Sequence, residues 1–303
     1  MKAIVAGATG FVGKSLVERL LEKKYEVIVL LRDERQVHEA WRDKVRFVVC
    51  PNERIKDLDE VCADRDVDIF FQFAWHGTSG VLRQDYEEQL ANVRYCCDSV
   101  MGADKLGCKR FVYAGSIMEY EAMQYIPKQG AAPGRNTIYS AAKLSAGFMT
   151  KILTNATRME YVNVIISNIY GPGEKSARFL NTIVRKMMSG ETIDMTHGRQ
   201  LYDFIYITDA VEEIILSAEQ GKANYAYYIG HSKQKPLREY VEQAKAILKS
   251  QSEIRFGAVE LTGAMLTYEE FDTEKVEREL GYIPQISFEQ GIRYLENAIE
   301  EEQ

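Results

Sequence analysis

Cysteine, histidine and proline are scarce in this sequence of 303 residues, which has five cysteines, four histidines and six prolines. No two cysteines form a Cys-x-x-Cys pair and their number is odd, so neither a disulfide framework nor a zinc site is predicted. We expect reduced, buried thiols, as in a cytoplasmic protein. Three histidines, His38, His197 and His231, are dispersed without the spacing of metal ligands, and we expect no bound metal.

The chain also lacks an excess of basic charge and a long apolar run. Its 38 Lys and Arg against 45 Asp and Glu give a net charge of −7, which disfavours nucleic acid and anionic membranes as partners. The least polar stretches, 69–82 and 161–173, are interrupted by glycine and polar residues and are too short to span a bilayer. The first strand is predicted at the very start of the sequence, so no signal-peptide pattern is expected.

What the sequence does have is a regular alternation of short apolar runs and amphipathic helical patterns. In segment 11–24, apolar residues recur at helical spacing, with Lys and Glu on the opposite side. The predicted strands are 2–6, 26–31, 45–49, 67–73, 109–114 and 161–167, and long helices are predicted at 84–106 and 139–158. This order predicts right-handed βαβ units, and therefore an α/β fold with a Rossmann-type, doubly wound parallel sheet.

After Gly171-Pro172-Gly173 the pattern changes to helices separated by short strands. Strands are predicted at 202–207 and 225–229, and helices at 176–189, 209–220, 236–250 and 288–301. We therefore predict a dinucleotide-binding domain over 1–170 and a smaller α+β substrate lobe over 171–303, some of whose segments return to the first domain. The cleft between the two is the expected ligand site.

A glycine loop follows the first predicted strand and opens the first helix. Gly7 permits a tight turn, Gly10 lets the backbone approach a pyrophosphate at the helix N-terminus, and Gly13 lets the helix pack closely on the strand. In this strand–turn–helix context the spacing predicts a dinucleotide site. Its candidate contacts within the loop are Gly7, Thr9, Gly10, Phe11, Val12 and Gly13.

The end of the second strand bears on which dinucleotide binds. An acidic residue there reads the ribose 2′-hydroxyl of NAD(H), whereas an arginine accommodates the 2′-phosphate of NADP(H). Arg32 stands 19 residues beyond Gly13, where the ribose-reading side chain is expected, with Arg35 nearby. We favour NADP(H), and NAD(H) stays open because Asp33 would face the ribose if the register moved by one residue.

Tyr139 and Lys143 are four residues apart at the start of a predicted helix, so they share one face. A neighbouring ammonium favours the phenolate form that a tyrosine needs to move a proton near neutral pH. Ser116 lies at the carboxyl end of the fifth predicted strand, where parallel sheets bind ligands. We predict that Ser116, Tyr139 and Lys143 are the catalytic residues, and that Tyr139 and Lys143 also contact the cofactor.

These motifs together resemble those of the extended short-chain dehydrogenase/reductase family, the NAD(P)-dependent nucleotide-sugar epimerases, dehydratases and reductases. The resemblance covers essentially the whole chain. Its segments are GATGFVG (7–13), Asn92-Val93, GSIMEY (115–120), YSAAK (139–143), SNIYGPG (167–173) and YDFIYITDA (202–210).

The resemblance implies a role for further residues. Tyr139 would transfer the proton, with Lys143 and Ser116 as its partners, and Asn168 would contact the diphosphate of a nucleotide sugar. The loop after the fourth strand would pass near the nicotinamide and the sugar, which makes Ala74 a cofactor contact and His76 a substrate contact, with Thr78 as its alternative. The family also suggests a homodimer built on the helices predicted at 84–106 and 139–158.

Three reactions of the family compete for this chain. The 4,6-dehydratases carry an Asp-Glu pair after the catalytic hydroxyl, where this chain has Ile117 and Met118, and Glu119 is expected to point elsewhere. A dehydratase is therefore disfavoured. Arg32 favours a 4-ketoreductase that exchanges NADPH, and the segments 255–260, 270–272 and 280–284 resemble reductases of CDP-linked deoxyhexoses. A 4-epimerase with retained NAD is the alternative.

One departure from the family concerns the substrate diphosphate. Many members have arginine where this chain has Tyr202, and Arg178 or Arg199 would have to replace it. Two other classes stay in view: a dinucleotide-binding regulator without turnover, and a reductase of steroid-like or flavonoid-like ketones. The retained Ser116 and its partners disfavour the first class, and the segments 167–173 and 202–210 disfavour the second.

Overall fold

The computed structural model describes residues 1–127, 130, 132–176, 178–261 and 265–302. Its strands are Lys2–Ala6 (β1), Glu26–Leu31 (β2), Arg46–Val49 (β3), Ile69–Gln72 (β4), Arg110–Ser116 (β5), Glu160–Ile166 (β6), Asn168–Tyr170 (β7), Ile193–Met195 (β8), Leu201–Tyr202 (β9), Phe204–Tyr206 (β10), Tyr225–Ile229 (β11), Lys235–Pro236 (β12) and Ile254–Phe256 (β13). Its α-helices are Phe11–Glu22 (α1), Tyr86–Lys105 (α2), Met118–Tyr125 (α3), Thr137–Asn155 (α4), Phe179–Ser189 (α5), Ile207–Gln220 (α6), Leu237–Ile247 (α7), Lys275–Leu280 (α8) and Phe288–Glu301 (α9). Shorter 3₁₀ segments lie at Glu34–Gln36, Glu39–Trp41, Asn52–Glu60 and Val81–Gln84.

In the described part of the chain, seven parallel strands form the central sheet in the order β3-β2-β1-β4-β5-β6-β11. The chain first winds outward from β1 to β3 and then crosses back to β4, so the strand order reverses beside β1. In open parallel sheets, ligands bind in the crevice at the carboxyl ends of the strands that flank such a reversal. The predicted Rossmann-type, doubly wound sheet is confirmed.

The central sheet is covered on both faces, and alternate residues of each strand supply the two cores. Ala3 and Val5 of β1 belong to a core that also takes in α1 and α6, whereas Ile4 and Ala6 belong to a second core with α2 and α4. Since successive side chains of a strand point to opposite faces, a strand covered on both faces is apolar throughout. This is why β1, β2 and β5 read as continuous apolar runs.

The helices that carry the site start at recognisable signals. Asp85 caps α2 by accepting the backbone N–H groups of Glu87 and Glu88 at 3.0 and 3.2 Å, which satisfies donors that a helix N-terminus leaves free. α4 begins at Thr137, so Tyr139 lies in its first turn. Tyr113 on β5 donates its hydroxyl to the backbone carbonyl of Lys143 at 3.0 Å and fixes α4 against the sheet.

Beyond residue 170 the chain forms short strand pairs with helices around them. β7 pairs with β10, β8 with β13 and β9 with β12, whereas β11 joins the central sheet beside β6. α6 packs on α1, and α8 packs on α6 and β11. The second half of the chain therefore forms the short strand pairs and also adds β11, α6 and α8 to the sheet and helices of the first half. The division into two domains at residue 170 stays a prediction.

Two elements differ from their predicted bounds. The strand predicted at 202–207 is two strands, because the buried carboxylate of Asp203 between them accepts the hydroxyl of Tyr228 at 2.7 Å and the backbone N–H of Ser232 at 2.9 Å. The helix predicted at 176–189 begins at Phe179, since Arg178 is extended. Ala177, within that prediction, lies outside the described residues.

No helix in the described ranges is long and apolar enough to cross a membrane. Among the same residues, no group of three or more His, Cys, Asp and Glu side chains is arranged to hold a metal ion.

Candidate active site

Two adjoining pockets form one groove across the carboxyl ends of the central strands. They share Gly7, Gly10, Phe73 and Trp75 as lining residues. One half, named the cofactor half after the role predicted for its residues, is lined further by residues at the ends of β1, β2 and β4, among them Thr9, Arg32 and Ala74. The other, named the catalytic half after the predicted role of Ser116, Tyr139 and Lys143, is lined further by these three residues and by Phe11, Val12, Gly13, Thr78 and Arg178.

The glycine loop brings α1 directly against the end of β1. Gly7 has a φ of +87°, and a Cβ there would lie 2.5 Å from the backbone of Phe73 and Ala74. A Cβ on Gly13 would lie 2.1 Å from the carbonyl oxygen of Gly7. Both positions therefore require glycine for packing within the protein.

Gly10 is different, because a Cβ there would meet only the Gly7 oxygen, at 3.4 Å. This residue starts α1 without a side-chain cap and faces the groove. The first N–H groups of α1 are thus available at the open side of the loop. A helix N-terminus with free N–H groups and a side-chain-free approach fits a pyrophosphate.

Arg32 and Asp33, although adjacent in sequence, make different contacts in the structure. Arg32 is exposed and lines the cofactor half, and its backbone N–H donates to the Gln36 side chain at 3.0 Å. The carboxylate of Asp33 accepts the backbone N–H of Arg35 at 2.8 Å and its Nε at 2.9 Å. These hydrogen bonds with Arg35 lower the pKa of Asp33 to about 2. Arg32 is therefore the charged side chain at the end of β2 that lines the cofactor half, and among the described residues it forms no ion pair.

The three predicted catalytic residues meet in the catalytic half. Ser116 ends β5, and Tyr139 and Lys143 lie one turn apart on α4. Lys143 Nζ donates to the backbone carbonyl of Ala114 at 2.9 Å and lies 3.9 Å from the centre of the Trp75 ring. Tyr139 meets the same Trp75 ring edge-on, with the ring centres 5.9 Å apart. Ser116, Tyr139 and Lys143 can therefore act on one small volume.

His76 is held against α2 in the structure, and its contact with the substrate stays a prediction. It lines the cofactor half, and its backbone N–H donates to Asn92 Oδ1 at 3.0 Å. Its ring Nδ1 is 2.9 Å from a carboxylate oxygen of Glu88. These contacts tie His76 to α2, and it is Thr78, two residues on, that lines the catalytic half.

Of the other predicted substrate residues, the structure brings one to the groove. Arg178 lines the catalytic half, with its Nε 3.1 Å from Glu174 Oε2. Asn168 on β7 donates its side-chain amide to the Asp203 carbonyl at 3.3 Å, and Arg199 is exposed. Within the described chain, neither Asn168 nor Arg199 is among the residues that line the catalytic half.

Arg83 is a cation near the site that sequence reasoning missed. Its guanidinium carbon lies 4.0 Å from the centre of the Tyr139 ring, and its Nη1 donates to the Thr78 carbonyl at 2.9 Å. Burial lowers its pKa, while Tyr139 and Glu121 act in the opposite direction. Over the described residues it forms no ion pair with a carboxylate. No motif marks Arg83, because its 3₁₀ segment reaches Tyr139 only through the fold.

Two buried carboxyl groups of α3 were also missed as parts of the site. Glu119 Oε1 accepts the backbone N–H of Ser116 at 2.9 Å, and Glu121 Oε2 accepts the Ser140 hydroxyl at 2.5 Å. Burial raises the pKa of Glu119 to about 7, against the opposing effects of the Ser116 N–H, the Lys143 charge and the Asn163 amide. Glu119 lines a small cavity with Gly147 and Tyr161 and is not among the residues that line the catalytic half.

Known proteins are similar to this chain along nearly its full length. CDP-abequose synthase of Salmonella muenchen is 25% identical over 302 residues, which cover 96% of both chains. The solved structure of an epimerase from Methanothermobacter thermautotrophicus matches with a TM-score of 0.79 at 21% identity, covering 99% of this chain and 92% of that one. A UDP-glucose 4-epimerase structure from Thermotoga maritima matches with a TM-score of 0.76 at 18% identity, covering 100% and 99%.

The family itself follows from a broader match. The model of the NAD dependent epimerase/dehydratase family matches residues 3–230, which span the glycine loop, Ser116, the Tyr139–Lys143 pair and all seven strands of the central sheet. The fold and the arrangement of the groove agree with that match. The chain belongs to the NAD dependent epimerase/dehydratase family.

Proposed function

We propose that this protein is an NADP(H)-dependent 4-ketoreductase that reduces the C4 ketone of a nucleotide-linked deoxysugar. The observation that carries the proposal is the pairing of a complete Ser116–Tyr139–Lys143 arrangement with Arg32 at the cofactor half. The relatives support a nucleotide-sugar substrate, since CDP-abequose synthase is named for a CDP-linked sugar. The activity, the cofactor preference and the substrate are all parts of this proposal.

The residues would divide the reaction between them. The bound nicotinamide supplies the hydride that goes to C4. Tyr139 donates its hydroxyl proton to the C4 oxygen as that oxygen gains negative charge, and Ser116 donates a hydrogen bond to the same oxygen. The Lys143 ammonium has three donors, of which Ala114 takes one, so the others are free to hold the cofactor ribose and support the tyrosinate.

The preference for NADP(H) rests on the charges at the end of β2. Asp33 is held by Arg35, whereas Arg32 lines the cofactor half. A guanidinium suits a 2′-phosphate and gives no acceptor to a 2′-hydroxyl. A dinucleotide with a phosphate at this position is therefore the better fit.

The residues in and beside the catalytic half favour an anionic substrate. They also disfavour the elimination of water as the reaction. Arg178 lines the catalytic half, and Arg83 lies against Tyr139, so two guanidinium groups lie in or beside this half of the groove. Both are suited to a diphosphate. Ile117 and Met118 have no group that exchanges protons, and Glu119 lines the small cavity beside Gly147 and not the catalytic half.

A 4-epimerase that retains NAD is the second candidate. The Thermotoga maritima neighbour is a UDP-glucose 4-epimerase, and the matching family is described as NAD dependent. An epimerase would oxidise C4 and return the hydride to the opposite face of the sugar, using the same Tyr139. The difference between the candidates lies in whether the cofactor leaves after each turnover.

The experiment that separates these candidates is to denature the purified protein and identify any nucleotide it releases. The ketoreductase proposal expects a protein without stoichiometric dinucleotide, which then binds NADPH more tightly than NADH. Release of stoichiometric NAD would favour the epimerase. Binding of NADPH without turnover of CDP-, UDP- or dTDP-linked 4-keto-6-deoxyglucose would favour a regulator or another ketone as substrate.

We also propose a homodimer formed through α2 and α4. These helices pack on each other and leave a group of large apolar side chains exposed on their outer side: Leu90, Met101, Phe148, Met149 and Ile152. Phe148 is 66% exposed and Leu90 61%. An apolar patch of this kind is typical of an interface between subunits.

A further inference from the structure

Glu119 is hydrogen-bonded to the backbone of Ser116, the proposed catalytic serine. Its Oε1 accepts the backbone N–H of Ser116 at 2.9 Å, and the Ser116 Oγ in turn accepts the backbone N–H of Met118 at 3.2 Å. Within the described chain, the hydroxyl hydrogen of Ser116 has no protein acceptor. That hydrogen is therefore free to be donated into the catalytic half of the groove, in a direction set by the turn that Glu119 holds.

Glycines on two elements border this carboxyl group, and the one on β5 leaves room for it. A Cβ on Gly115 of β5 would lie 2.8 Å from Glu119 Oε1, and a Cβ on Gly147 of α4 would lie 3.5 Å from Glu119 Oε2. The carboxyl thus lies between the strand that ends in Ser116 and the helix that carries Tyr139 and Lys143. It is only 5% exposed, so its hydrogen bond is not shared with bulk water.

We propose that Glu119 is a positioning residue, which fixes the end of β5 against α4 and thereby aims the Ser116 hydroxyl at the substrate oxygen. This inference rests on the proposed role of Ser116 in ketone reduction. Glu119 itself does not line the catalytic half, so it acts through neighbouring residues, above all through its hydrogen bond to Ser116.

The groups around Glu119 come from several elements. Lys143 of α4 contributes a positive charge, and Asn163 of β6 contributes an amide beside the carboxyl. Tyr113 of β5 and Tyr161 of β6 lie near enough for a charged Glu119 to raise their pKa values, and Tyr120 of α3 does as well. The cation that acts on the Glu119 carboxyl is therefore Lys143 of the proposed catalytic set, which links Glu119 to the same assembly.

The chain offers a matched control in Glu213 of α6. This carboxyl is 2% exposed, and its Oε2 accepts the backbone N–H of Gly230 at 3.0 Å. Glu213 is thus also a buried acceptor of a backbone N–H, but no residue of the catalytic half depends on it. Loss of Glu213 therefore shows the effect of removing a buried acceptor whose role is structural alone.

The kinetic experiment compares Glu119→Met and Glu119→Gln with Glu213→Met, using NADPH and CDP- or dTDP-linked 4-keto-6-deoxyglucose. Methionine removes the acceptor without leaving a large cavity, and glutamine restores an acceptor. Loss of one hydrogen bond that orients a reacting group predicts a kcat about tenfold lower for Glu119→Met, with KM values within about twofold. Glu119→Gln recovers kcat to within about threefold of wild type, and Glu213→Met lowers only the melting temperature.

A second readout needs no turnover. Hydrogen exchange of the Ser116 amide is expected to be faster in Glu119→Met than in wild type, and unchanged in Glu119→Gln and Glu213→Met. If wild type turns over no 4-keto sugar, the proposed function fails while this measurement still tests the link to Ser116. Wild-type kcat in Glu119→Met, equal loss in Glu213→Met, or unchanged Ser116 exchange would each overturn the proposal. If Glu119→Met does not fold, Glu119→Asp, whose carboxyl is one methylene shorter, takes its place in both experiments.

Discussion

Lys143 and Trp75 form a close cation–π contact, with the Lys143 ammonium 3.9 Å from the centre of the Trp75 ring. Trp75 is itself fixed, because its indole N–H donates to Gln89 Oε1 at 2.9 Å. The loop after β4 therefore holds the ammonium from one side, while the end of β5 holds it from the other through Ala114. Tyr139 meets the same Trp75 ring, so one indole links both members of the proposed catalytic pair to the loop.

Tyr139→Phe tests the proton transfer. The ring and its contacts with Trp75 and Arg83 stay in place, and only the hydroxyl is lost. We expect kcat to fall by at least about a hundredfold, as for loss of a general acid, with NADPH affinity unchanged. Steady-state kinetics and cofactor fluorescence check the two parts, and a Tyr139→Phe enzyme with near wild-type kcat would sink the assigned role.

Arg32→Asp tests whether Arg32 selects NADP(H) over NAD(H). A lost charge-assisted hydrogen bond to the 2′-phosphate, with a new repulsive carboxylate, should shift the ratio of NADPH to NADH affinity by about ten- to a hundredfold toward NADH. Arg42→Ala is the control, since this exposed arginine pairs with Glu39 and is not among the residues that line the cofactor half. An unchanged ratio in Arg32→Asp would mean that another residue contacts the ribose.

The glycine loop allows a paired test of packing and binding. Gly13→Ala places a Cβ 2.1 Å from a backbone oxygen, so α1 must shift, and we expect the free energy of unfolding to fall by about 1–3 kcal/mol. Gly10→Ala meets only an atom at 3.4 Å and should fold as wild type, yet bind NADPH more weakly because its methyl faces the groove. Denaturant titration and NADPH titration distinguish the two, and equal stability losses would contradict this assignment.

The buried carboxyl of Glu119 predicts a dependence of stability on pH. Its pKa is raised from 4.5 to about 7 by burial, so the native state holds this proton over a range where the unfolded state has lost it. The stabilisation from this group is full below the unfolded pKa and is lost as the pH rises through the folded one. Compared with Glu119→Gln, wild type should lose roughly 2–3 kcal/mol of unfolding free energy between about pH 5 and pH 8. Parallel curves for the two proteins would show that the carboxyl does not titrate in this way.

Phe148→Glu tests the interface on α2 and α4. A charge among Leu90, Met149 and Ile152 should disfavour burial of that face against a second subunit. Light scattering is expected to show a dimer for wild type and a monomer for the variant, with the thermal unfolding of the monomer still cooperative. A monomeric wild type would refute the proposed homodimer.

The sequence predicted the elements with strong local patterns. β1, β2 and β11 have the predicted bounds, because each is a short apolar run that ends at a turn. The meeting of Ser116 with Tyr139 and Lys143 was predictable as well, since parallel strands bring their carboxyl ends to one edge of the sheet.

The remaining features depend on contacts between distant segments. Arg83 is 56 residues before Tyr139 and reaches its ring only because the 3₁₀ segment packs on α4. His76 is held at the cofactor half by Asn92 and Glu88, while its contact with the substrate stays a prediction. The split of the strand predicted at 202–207 follows from Asp203, whose partners Tyr228 and Ser232 no local pattern identifies.

The most direct test of the proposed ketone reduction is the stoichiometry of NADPH oxidation with a nucleotide-linked 4-keto-6-deoxyglucose. We expect one NADPH to be oxidised for each ketone consumed, with the hydride found at C4 of the product when deuterated NADPH is used. Interconversion of two C4 epimers of a nucleotide hexose, with no net oxidation of NADPH and with NAD still bound, would contradict it.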